Sequence, residues 1–513
     1  MKIIQYLGLA LFVGGLLLFS LIPFIGQFTL DAEITDKKIK EEHQELLEVL
    51  KPMYGNTYSH QIAFVNDFNN YFDAYNDRLK EEEKWDEVIY EDYAFSITKA
   101  SAHGPVQQHP WLFFAGALLL PIIGALMYIF PLHRDEPDGI KNNGTYFSSM
   151  KNRGWLGILT GTYLIGFYII LYWNAEYLTN LTDMVDGLSM FLSGEPASQW
   201  FLYGCLYTLA ILVMGIRMFR RYKGNPYQII RTYSVMFFQL AFAFLIPEIL
   251  VLLNMPWHDF KNIWPLDYDF FFEYRIEGML GSGALGMFML VWGIILIILG
   301  VPIFTYFYGK RWYCSWICGC GGLAETLGDP YRHLSDKSLK AWKIERYMVH
   351  GVLVFAVVMT GFTIWNYFSG FGLLGDATGM LHQWYGFLIG AAFAGVIGTG
   401  FYPFMGNRVW CRFGCPLAAY LGIVQRFKSR FRITTNGGQC ISCGNCSTYC
   451  EMGIDVKWYA QRGQNIVRAS CVGCGICSAV CPRGVLKLEN KSEKGRINEH
   501  PIIIGNDSIK VEN

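Results

Sequence analysis

Charged residues are scarce in this chain of 513 residues, where Asp, Glu, Lys and Arg make up 16% of the sequence. Soluble domains carry about a quarter. The 42 basic and 42 acidic side chains cancel, so no basic surplus exists to neutralise phosphates, which excludes nucleic acid as a partner. Before residue 310 the chain has a single cysteine, Cys205. It lies in an apolar run, where we interpret it as a packing residue. With 52% hydrophobic residues, this balance is typical of a polytopic membrane protein with a modest soluble part.

Eight apolar stretches are long enough to cross a bilayer as helices, which takes about 20 residues each. They are 4–25, 111–131, 155–173, 200–219, 232–253, 281–308, 347–368 and 384–404. The first run is too long for a secretory signal peptide, and no small-residue cleavage site precedes Asp31, so we interpret it as a retained span.

Basic residues are concentrated in alternate loops between these stretches. The loops after the second, fourth and sixth stretches carry Arg134, Lys141, Lys151, Arg153; Arg220, Arg221, Lys223, Arg231; and Lys310, Arg311, Arg332, Lys337, Lys340, Lys343, Arg346. Loops 174–198 and 369–383 contain no Lys or Arg, and 254–280 contains two. Since basic loops stay on the cytoplasmic side, we expect a multi-pass protein of the inner, cytoplasmic membrane with both termini in the cytoplasm.

The chain divides by composition into six segments. Segment 31–110 has helical periodicity and no metal, nucleotide or flavin motif, and loop 174–198 has the composition of a plain connector. The predicted division is 1–30, a first transmembrane helix; 31–110, an extracytoplasmic helical domain; 111–253, helices two to five; 254–424, a transmembrane core; 425–490, a ferredoxin domain; and 491–513, a tail.

Eight cysteines near the carboxyl terminus repeat one spacing, C-x2-C-x2-C-x3-C. In this bacterial-ferredoxin run the fourth cysteine ligates the other cluster of the pair. The rule predicts one 4Fe-4S cluster on Cys440, Cys443, Cys446 and Cys481, and a second on Cys471, Cys474, Cys477 and Cys450. Structural zinc rarely uses such a doubled run, and disulfide frameworks belong to small secreted domains. The fold class predicted is therefore mainly α: a polytopic bundle of about eight transmembrane helices with a carboxyl-terminal α+β domain for two clusters.

A second cysteine pattern follows the sixth and eighth apolar stretches. Each runs into R-x-aromatic-C-x3-C, with Cys314 and Cys318 in the first copy and Cys411 and Cys415 in the second, 97 residues later. On a continuous helix, cysteines at i and i+4 share one face. Two such pairs would place four thiols at the membrane surface, where they would ligate a third cluster, cycle between dithiol and disulfide, or serve a bound metal. Cys320 gives the first copy a spare ligand.

Both cysteine patterns together resemble the membrane polyferredoxins of the NapH, NosR and CcoG type, over roughly the second half of the chain. The resemblance implies an inner-membrane electron-transfer protein serving respiration or oxidase assembly, in some members passing electrons from quinol to a periplasmic partner. Three departures stand out: Gly319 follows Cys318 where the family has proline, Glu451 replaces the proline usual after the fourth cysteine, and the threonine-bearing flavin motif of the NosR type is missing. No flavin is therefore predicted.

We expect the protein to transfer electrons between the clusters, the four motif cysteines and a redox partner. The motif cysteines would be the redox-active site, and the partner would be a quinone or a membrane, periplasmic or cytoplasmic redox protein. This describes an oxidoreductase component, a carrier resembling quinol dehydrogenases. Glu248, inside an apolar stretch and near His258 in sequence, is a candidate for a quinol site. The alternative is a metal reductase or assembly factor that reduces copper for a terminal oxidase, because soft thiolates suit Cu(I).

Overall fold

The computed structural model describes residues 2–132, 148–370, 375, 377–497, 503–504 and 509–510. Arg134 and Lys141, on which the expected orientation partly rests, lie outside the described residues, as does most of the predicted tail after 497. The chain forms two compact units, one from the described residues of 1–132 and 169–206, and one from those of 133–168 and 207–513.

Eight helices in the described part of the chain are long and apolar enough to cross a membrane. Their bounds are Lys2–Phe24, Pro110–Ile129, Trp155–Trp173, Gln199–Arg221, Pro226–Leu252, Gly283–Tyr308, Leu339–Phe368 and Ala377–Gly400. Each corresponds to one predicted stretch; the fifth, seventh and eighth begin six to eight residues earlier than predicted. The predicted fold class, a mainly helical membrane protein with a small carboxyl-terminal sheet, is confirmed.

The first unit contains more than the predicted helical segment. Strands β1 (Gln27–Thr29), β2 (Thr57–Tyr58) and β3 (Ala102–His103) form an antiparallel sheet in the order β2-β1-β3. Its helices are Ala32–Lys38, Glu45–Leu50, Gln61–Glu81, Tyr93–Ala100, Pro105–Gln108 and Thr179–Ser193. Phe28, Leu50 and Phe64 are fully buried in the core among them.

The loop interpreted as a plain connector, 174–198, is part of this first unit, so that interpretation was wrong. It contains the helix Thr179–Ser193, whose residues carry many of the unit's polar contacts. Gln61 Nε2 donates to Thr179 Oγ1 at 2.6 Å, and Lys99 Nζ contacts Asp186 at 2.7 Å. A sequence pattern of turn residues gave no sign of these long-range partners.

The second unit holds six spans or parts of spans, the short helices of the cysteine motifs, and a small domain after residue 430. The short helices are Glu273–Gly281, Arg311–Cys314, Gly319–Thr326, Tyr402–Met405, Val409–Phe413, Pro416–Phe427, Asn445–Thr448, Val456–Gln461 and Ile476–Ala479. Strands β4 (Phe431–Thr435) and β5 (Leu486–Asn490) pair in antiparallel register, from Phe431 opposite Asn490 to Thr435 opposite Leu486. This pairing closes the two ends of the cysteine-rich segment on each other. A further pair, β6 (Ile503–Ile504) and β7 (Ile509–Lys510), lies beyond it.

Candidate iron–sulfur sites and the surrounding cavity

The two ferredoxin runs fold into the same local structure, 31 residues apart. Gly444 and Gly475 adopt positive φ angles of 80° and 76° and begin one-turn helices on which the third cysteine of each run lies. A side chain would strain either glycine, which explains the glycine at both places. The fourth cysteines accept equivalent hydrogen bonds: the Ile454 N–H reaches the Cys450 sulfur at 3.4 Å, and the Val485 N–H reaches the Cys481 sulfur at 3.3 Å.

This repeat brings together the cysteines that the spacing rule assigns to each cluster. Cys440, Cys443 and Cys446 line one small cavity with Cys481. Cys477 lies close to Cys471, Cys474 and Cys450. Burial raises the pKa of the Cys477 thiol most, and these three cysteines raise it further. The exchange of fourth cysteines between the runs is therefore present in the fold, while ligation by these eight residues stays a prediction.

The donor set fits an iron–sulfur cluster better than a single metal ion. A tetrahedral thiolate site with metal–sulfur bonds of about 2.3 Å brings its sulfurs within about 3.8 Å of one another. In the described part of the chain, the only groups of three possible ligand atoms within 4.8 Å of one another are Glu42, His43, Glu91 and Glu325, Glu451, Cys474. Thus no three cysteine sulfurs of the described residues approach so closely, and none of the cysteines forms a disulfide.

One predicted cluster site lies deeper than the other. Cys471 and Cys477 are buried, and polar side chains from outside the two cysteine runs hold the backbone between them. These bonds are Tyr227 Oη to the Gly473 carbonyl (2.8 Å), Gln228 Nε2 to the Cys474 carbonyl (2.7 Å), Ser315 Oγ to the Val472 carbonyl (2.8 Å) and Gln425 Nε2 to the Cys471 carbonyl (2.8 Å). Beside the other site Ile441 is exposed. We call the first the inner site and the second, on Cys440, Cys443, Cys446 and Cys481, the outer site.

The C-x3-C pairs do not lie on continuous helices, so the expected i, i+4 face was wrong. Cys314 ends the helix Arg311–Cys314 and Cys318 is the N-cap of the next helix, Gly319–Thr326. In the second copy Cys411 lies in Val409–Phe413 and Cys415 caps Pro416–Phe427, accepting a hydrogen bond from the Ala418 N–H at 3.4 Å. A proline fits the first turn of a helix and disrupts its interior. Pro416 therefore marked this break in the sequence.

The two copies share their backbone hydrogen bonds at the offset of 97 residues. The Cys318 N–H donates to the Tyr313 carbonyl at 2.8 Å, and the Cys415 N–H to the Trp410 carbonyl at 3.0 Å. The two copies of the motif thus share one local structure of helix, break and helix.

The four motif cysteines meet in one buried group, which we call the motif site. Besides burial, the neighbouring Cys411, Cys318 and Cys314 raise the pKa of Cys415 well above its ordinary value. Burial raises the pKa of Cys314 to about 12. A hydrogen bond with Cys320 lowers the pKa of Cys318 to about 6. The spare cysteine therefore lies beside the group, as the sequence suggested, and interacts most strongly with Cys318.

Buried ion pairs join the motif site to the inner site, and sequence reasoning missed them. Arg408 Nη2 lies 2.8 Å from Glu325 and 3.2 Å from Glu451, while its Nη1 lies 3.6 Å from the Cys411 sulfur. Glu325 also pairs with Arg231 at 2.6 Å, and Glu451 with Arg332 at 2.8 Å. The one available signal was Glu451, which stands where a proline was expected.

Three buried arginines surround the two carboxylates of this network. Burial alone would raise the pKa of the Glu325 carboxyl, but Arg231, Arg332 and Arg408 together hold it well below its usual range. Burial raises the pKa of Glu451. Arg311, which occupies the position of Arg408 in the first copy, instead lies over the rings of Tyr227 and Phe431. Equivalent arginines of the repeat thus have different partners.

A cavity of about 1320 Å³ opens beside the motif site. It is lined mainly by aromatic side chains of the fifth and sixth spans and of the first motif: Phe238, Phe242, Phe288, Trp292, Phe304, Trp312, Tyr313 and Trp316. Its polar groups include Lys261, whose Nζ bonds Asp259 at 2.7 Å, and Tyr313, whose buried hydroxyl has no hydrogen-bond partner among the described residues. Glu248, the quinol-site candidate from the sequence, is not among the described residues that line the cavity, whereas Ile246 is.

Comparison with known proteins agrees with the cysteine patterns. A family described as "4Fe-4S binding domain" matches residues 290–339 and 385–434, and one described as "4Fe-4S dicluster domain" matches 439–486. The chain is 26% identical over 156 residues to the putative electron transport protein YccM of Escherichia coli, covering 29% of this chain and 43% of that protein.

Two ferredoxin-type proteins named MauN, of methylamine utilization, are similar over the same share of the chain, 29%. The identity is 27% for Paracoccus denitrificans and 26% for Methylobacillus flagellatus, covering 51% and 50% of those proteins. The chain thus spans about half the length of the curated relatives it matches. No solved structure matches it. These findings confirm the resemblance to membrane polyferredoxins: the chain carries 4Fe-4S binding domains and is related to ferredoxin-type electron transport proteins.

Proposed function

From these iron–sulfur domains and apolar helices, we propose that the protein moves single electrons along three 4Fe-4S clusters: outer, inner and motif. The observation that carries this proposal is the meeting of Cys314, Cys318, Cys411 and Cys415 in one buried group beside the inner site. Each cluster supplies a one-electron couple when bound. The chain's own residues ligate, exclude water and balance charge.

The buried cations support this assignment, because a charge in the protein interior needs an opposite charge or hydrogen bonds. Lys310 is 2% exposed, and among the described residues its Nζ finds only the Ala418 carbonyl, at 3.4 Å. Its charge lowers the pKa of both Cys314 and Cys471 against the raising effect of burial. The position suits a cation that balances anionic thiolate ligands of both the motif and inner sites.

Iron analysis of a cysteine variant tests the third cluster. In Cys411→Ser the motif site loses one thiolate, so we expect iron and acid-labile sulfide per chain to fall by about a third. Cys205→Ser is the matched control, because Cys205 is buried in the fourth span, outside the motifs. If Cys411→Ser keeps its full iron content and an intact electron paramagnetic resonance signal, the third cluster is removed from the proposal.

We propose that quinol is the electron donor, or quinone the acceptor, in the aromatic cavity. Oxidation of one quinol would release two protons to solvent and two electrons, which a cluster held by Cys314, Cys318, Cys411 and Cys415 would accept one at a time. An apolar cavity with few polar groups is the usual form of such a site. The Tyr313 hydroxyl and the Lys261 ammonium, which belong to residues that line the cavity, would hydrogen-bond a quinone head group.

Quenching of tryptophan fluorescence by decylubiquinone tests this cavity, since Trp292, Trp312 and Trp316 line it. We expect saturable quenching, weakened by about tenfold in Tyr313→Phe through the loss of one hydrogen bond in a buried site. Glu248→Gln is the variant for comparison, because the sequence alone made Glu248 the candidate for the quinol site. Equal binding by the parent chain and Tyr313→Phe would contradict the role of Tyr313, and non-saturable quenching would contradict the site.

The copper-reductase alternative has less support from the geometry. The motif cysteines are buried, and within the described residues no three sulfurs lie close enough together for a three-coordinate Cu(I) site. Stoichiometric Cu(I) binding to iron-loaded protein, lost in Cys411→Ser, would favour the alternative over the quinol carrier.

We further propose the inner membrane as the location, with both termini in the cytoplasm. This rests on the alternation of basic and non-basic loops, not on the fold. Alkaline phosphatase fused after residue 490 should be inactive, and an active fusion would reverse the orientation.

A further inference from the structure

A second, polar cavity of about 820 Å³ lies between the seventh span and the helix Pro416–Phe427. Five basic side chains line it, Lys310, Arg346, Arg412, Arg426 and Arg468, against one carboxylate, Glu345. Glu345 is already paired with Arg412 at 2.7 Å. Even without Lys310, whose charge is assigned above to the thiolates, the cavity therefore carries a surplus of positive charge that the described residues do not neutralise.

Two of these arginines share one aromatic ring. The guanidinium carbon of Arg468 lies 4.4 Å from the ring centroid of Trp342, and that of Arg346 lies 5.3 Å from it. Neither arginine has a carboxylate partner among the described residues; Arg468 Nη1 donates to the Tyr459 hydroxyl at 3.1 Å. Two like charges close to one ring repel, so a bound anion near them would lower the energy of the arrangement.

One buried cation of the cavity wall, Arg412, is only partly satisfied by the protein. Arg412 is 4% exposed, and it uses Nε on Glu345 and Nη1 on the Asp336 carbonyl at 2.8 Å. Its Nη2 is buried with no partner in the described part of the chain. An unpaired donor on a buried cation costs free energy unless a ligand accepts its hydrogen bond.

The mouth of the cavity is apolar and exposed. Tyr347 is 82% exposed, Phe427 is 74% exposed and Ile423 is 37% exposed, and all three line the cavity. A basic pocket at one end of a spanning helix, with exposed apolar side chains beside it, has the character of a site for an anionic lipid head group.

We propose that this cavity binds a phosphate-bearing anion, and that the apolar mouth selects an anionic phospholipid. The phosphate oxygens would accept hydrogen bonds from the arginines on Trp342, near the positive charge of Arg412, and the acyl chains would lie against Tyr347, Ile423 and Phe427. Because Cys411 also lines this cavity, the bound head group would separate the motif site from water.

Native mass spectrometry of the delipidated full-length protein tests the proposal. Phosphatidylglycerol should bind at least tenfold more tightly than phosphatidylcholine, and Arg346→Gln/Arg468→Gln should abolish that preference. Arg346→Gln alone, an exposed change that leaves the fold intact, should weaken it severalfold. Arg462→Gln is the matched control, because Arg462 stacks on Trp458 at 4.0 Å away from the cavity.

A second arm with millimolar inorganic phosphate identifies the source of the anion. Lipid binding that resists this phosphate assigns the site to a phospholipid, whereas displacement of the lipid assigns it to a soluble phosphate. Equal affinity for the two lipids together with no effect of phosphate, or an unchanged lipid preference in the double variant, would overturn the proposal.

Discussion

Arg408→Gln removes the cation that links the motif site to the inner site. The Arg408 side chain has no exposed surface and contacts Glu325 at 2.8 Å and Glu451 at 3.2 Å. Its Nη1 also donates to the Cys314 carbonyl at 3.2 Å. The variant therefore leaves two buried carboxylates with one cation fewer.

The size of the effect follows from that loss. Removing one partner of a buried ion pair costs about 3–5 kcal/mol, because the remaining charge stays buried without compensation. Glu325 keeps Arg231, and Glu451 keeps Arg332, which places the expected loss near the lower end, about 3 kcal/mol. This is a large share of the stability of an ordinary domain.

Thermal unfolding of the iron-loaded protein in detergent measures this loss, with iron retention as a second readout. Arg311→Gln is the matched control, because its cation–π contacts are worth about 1 kcal/mol. The double variant Arg408→Gln/Glu325→Gln should recover part of the loss, since it removes a charge of each sign. Equal destabilisation by the Arg408 and Arg311 variants would refute the reasoning from the ion-pair network.

Three further outcomes follow from the structure. Gly473→Ala should destabilise the inner site by about 2 kcal/mol and lower its iron content, because φ at this position is +64° and the added Cβ would lie 2.6 Å from Arg311 Cβ. Gly438→Ala is the control and should have neither effect, because the space around Gly438 is open. Ser315→Ala should cost about 1–3 kcal/mol in unfolding free energy by leaving the Val472 carbonyl unpaired. Burial lowers the pKa of His258 to about 4, so stability should be full above pH ~6.5 and fall as the pH approaches 4. His258→Gln should flatten that loss in a pH series of unfolding temperatures, and an unchanged profile would contradict it.

The sequence was most informative where chemistry depends on local spacing. The eight ferredoxin cysteines and the eight spans could be found because turn geometry and hydrophobic length are both properties of short segments. The break inside each C-x3-C motif was missed by treating the spacing as helical. Pro416 argued for a helix start there, and Cys415 is indeed the N-cap.

Contacts between distant segments could not be predicted. Arg408 and Glu325 are 83 residues apart, and Gln61 and Thr179 are 118 apart. Neither pair belongs to a spacing motif, and tertiary packing alone brings them together. For the same reason loop 174–198 was taken for a connector although its helix carries polar contacts of the first unit.

Coulometric reduction of the anaerobically purified protein tests the central claim most directly. Three 4Fe-4S clusters, each a one-electron couple, predict uptake of about three electrons per chain with about twelve iron atoms. Uptake of two electrons with about eight iron atoms would leave the motif cysteines without a cluster and contradict the three-site path.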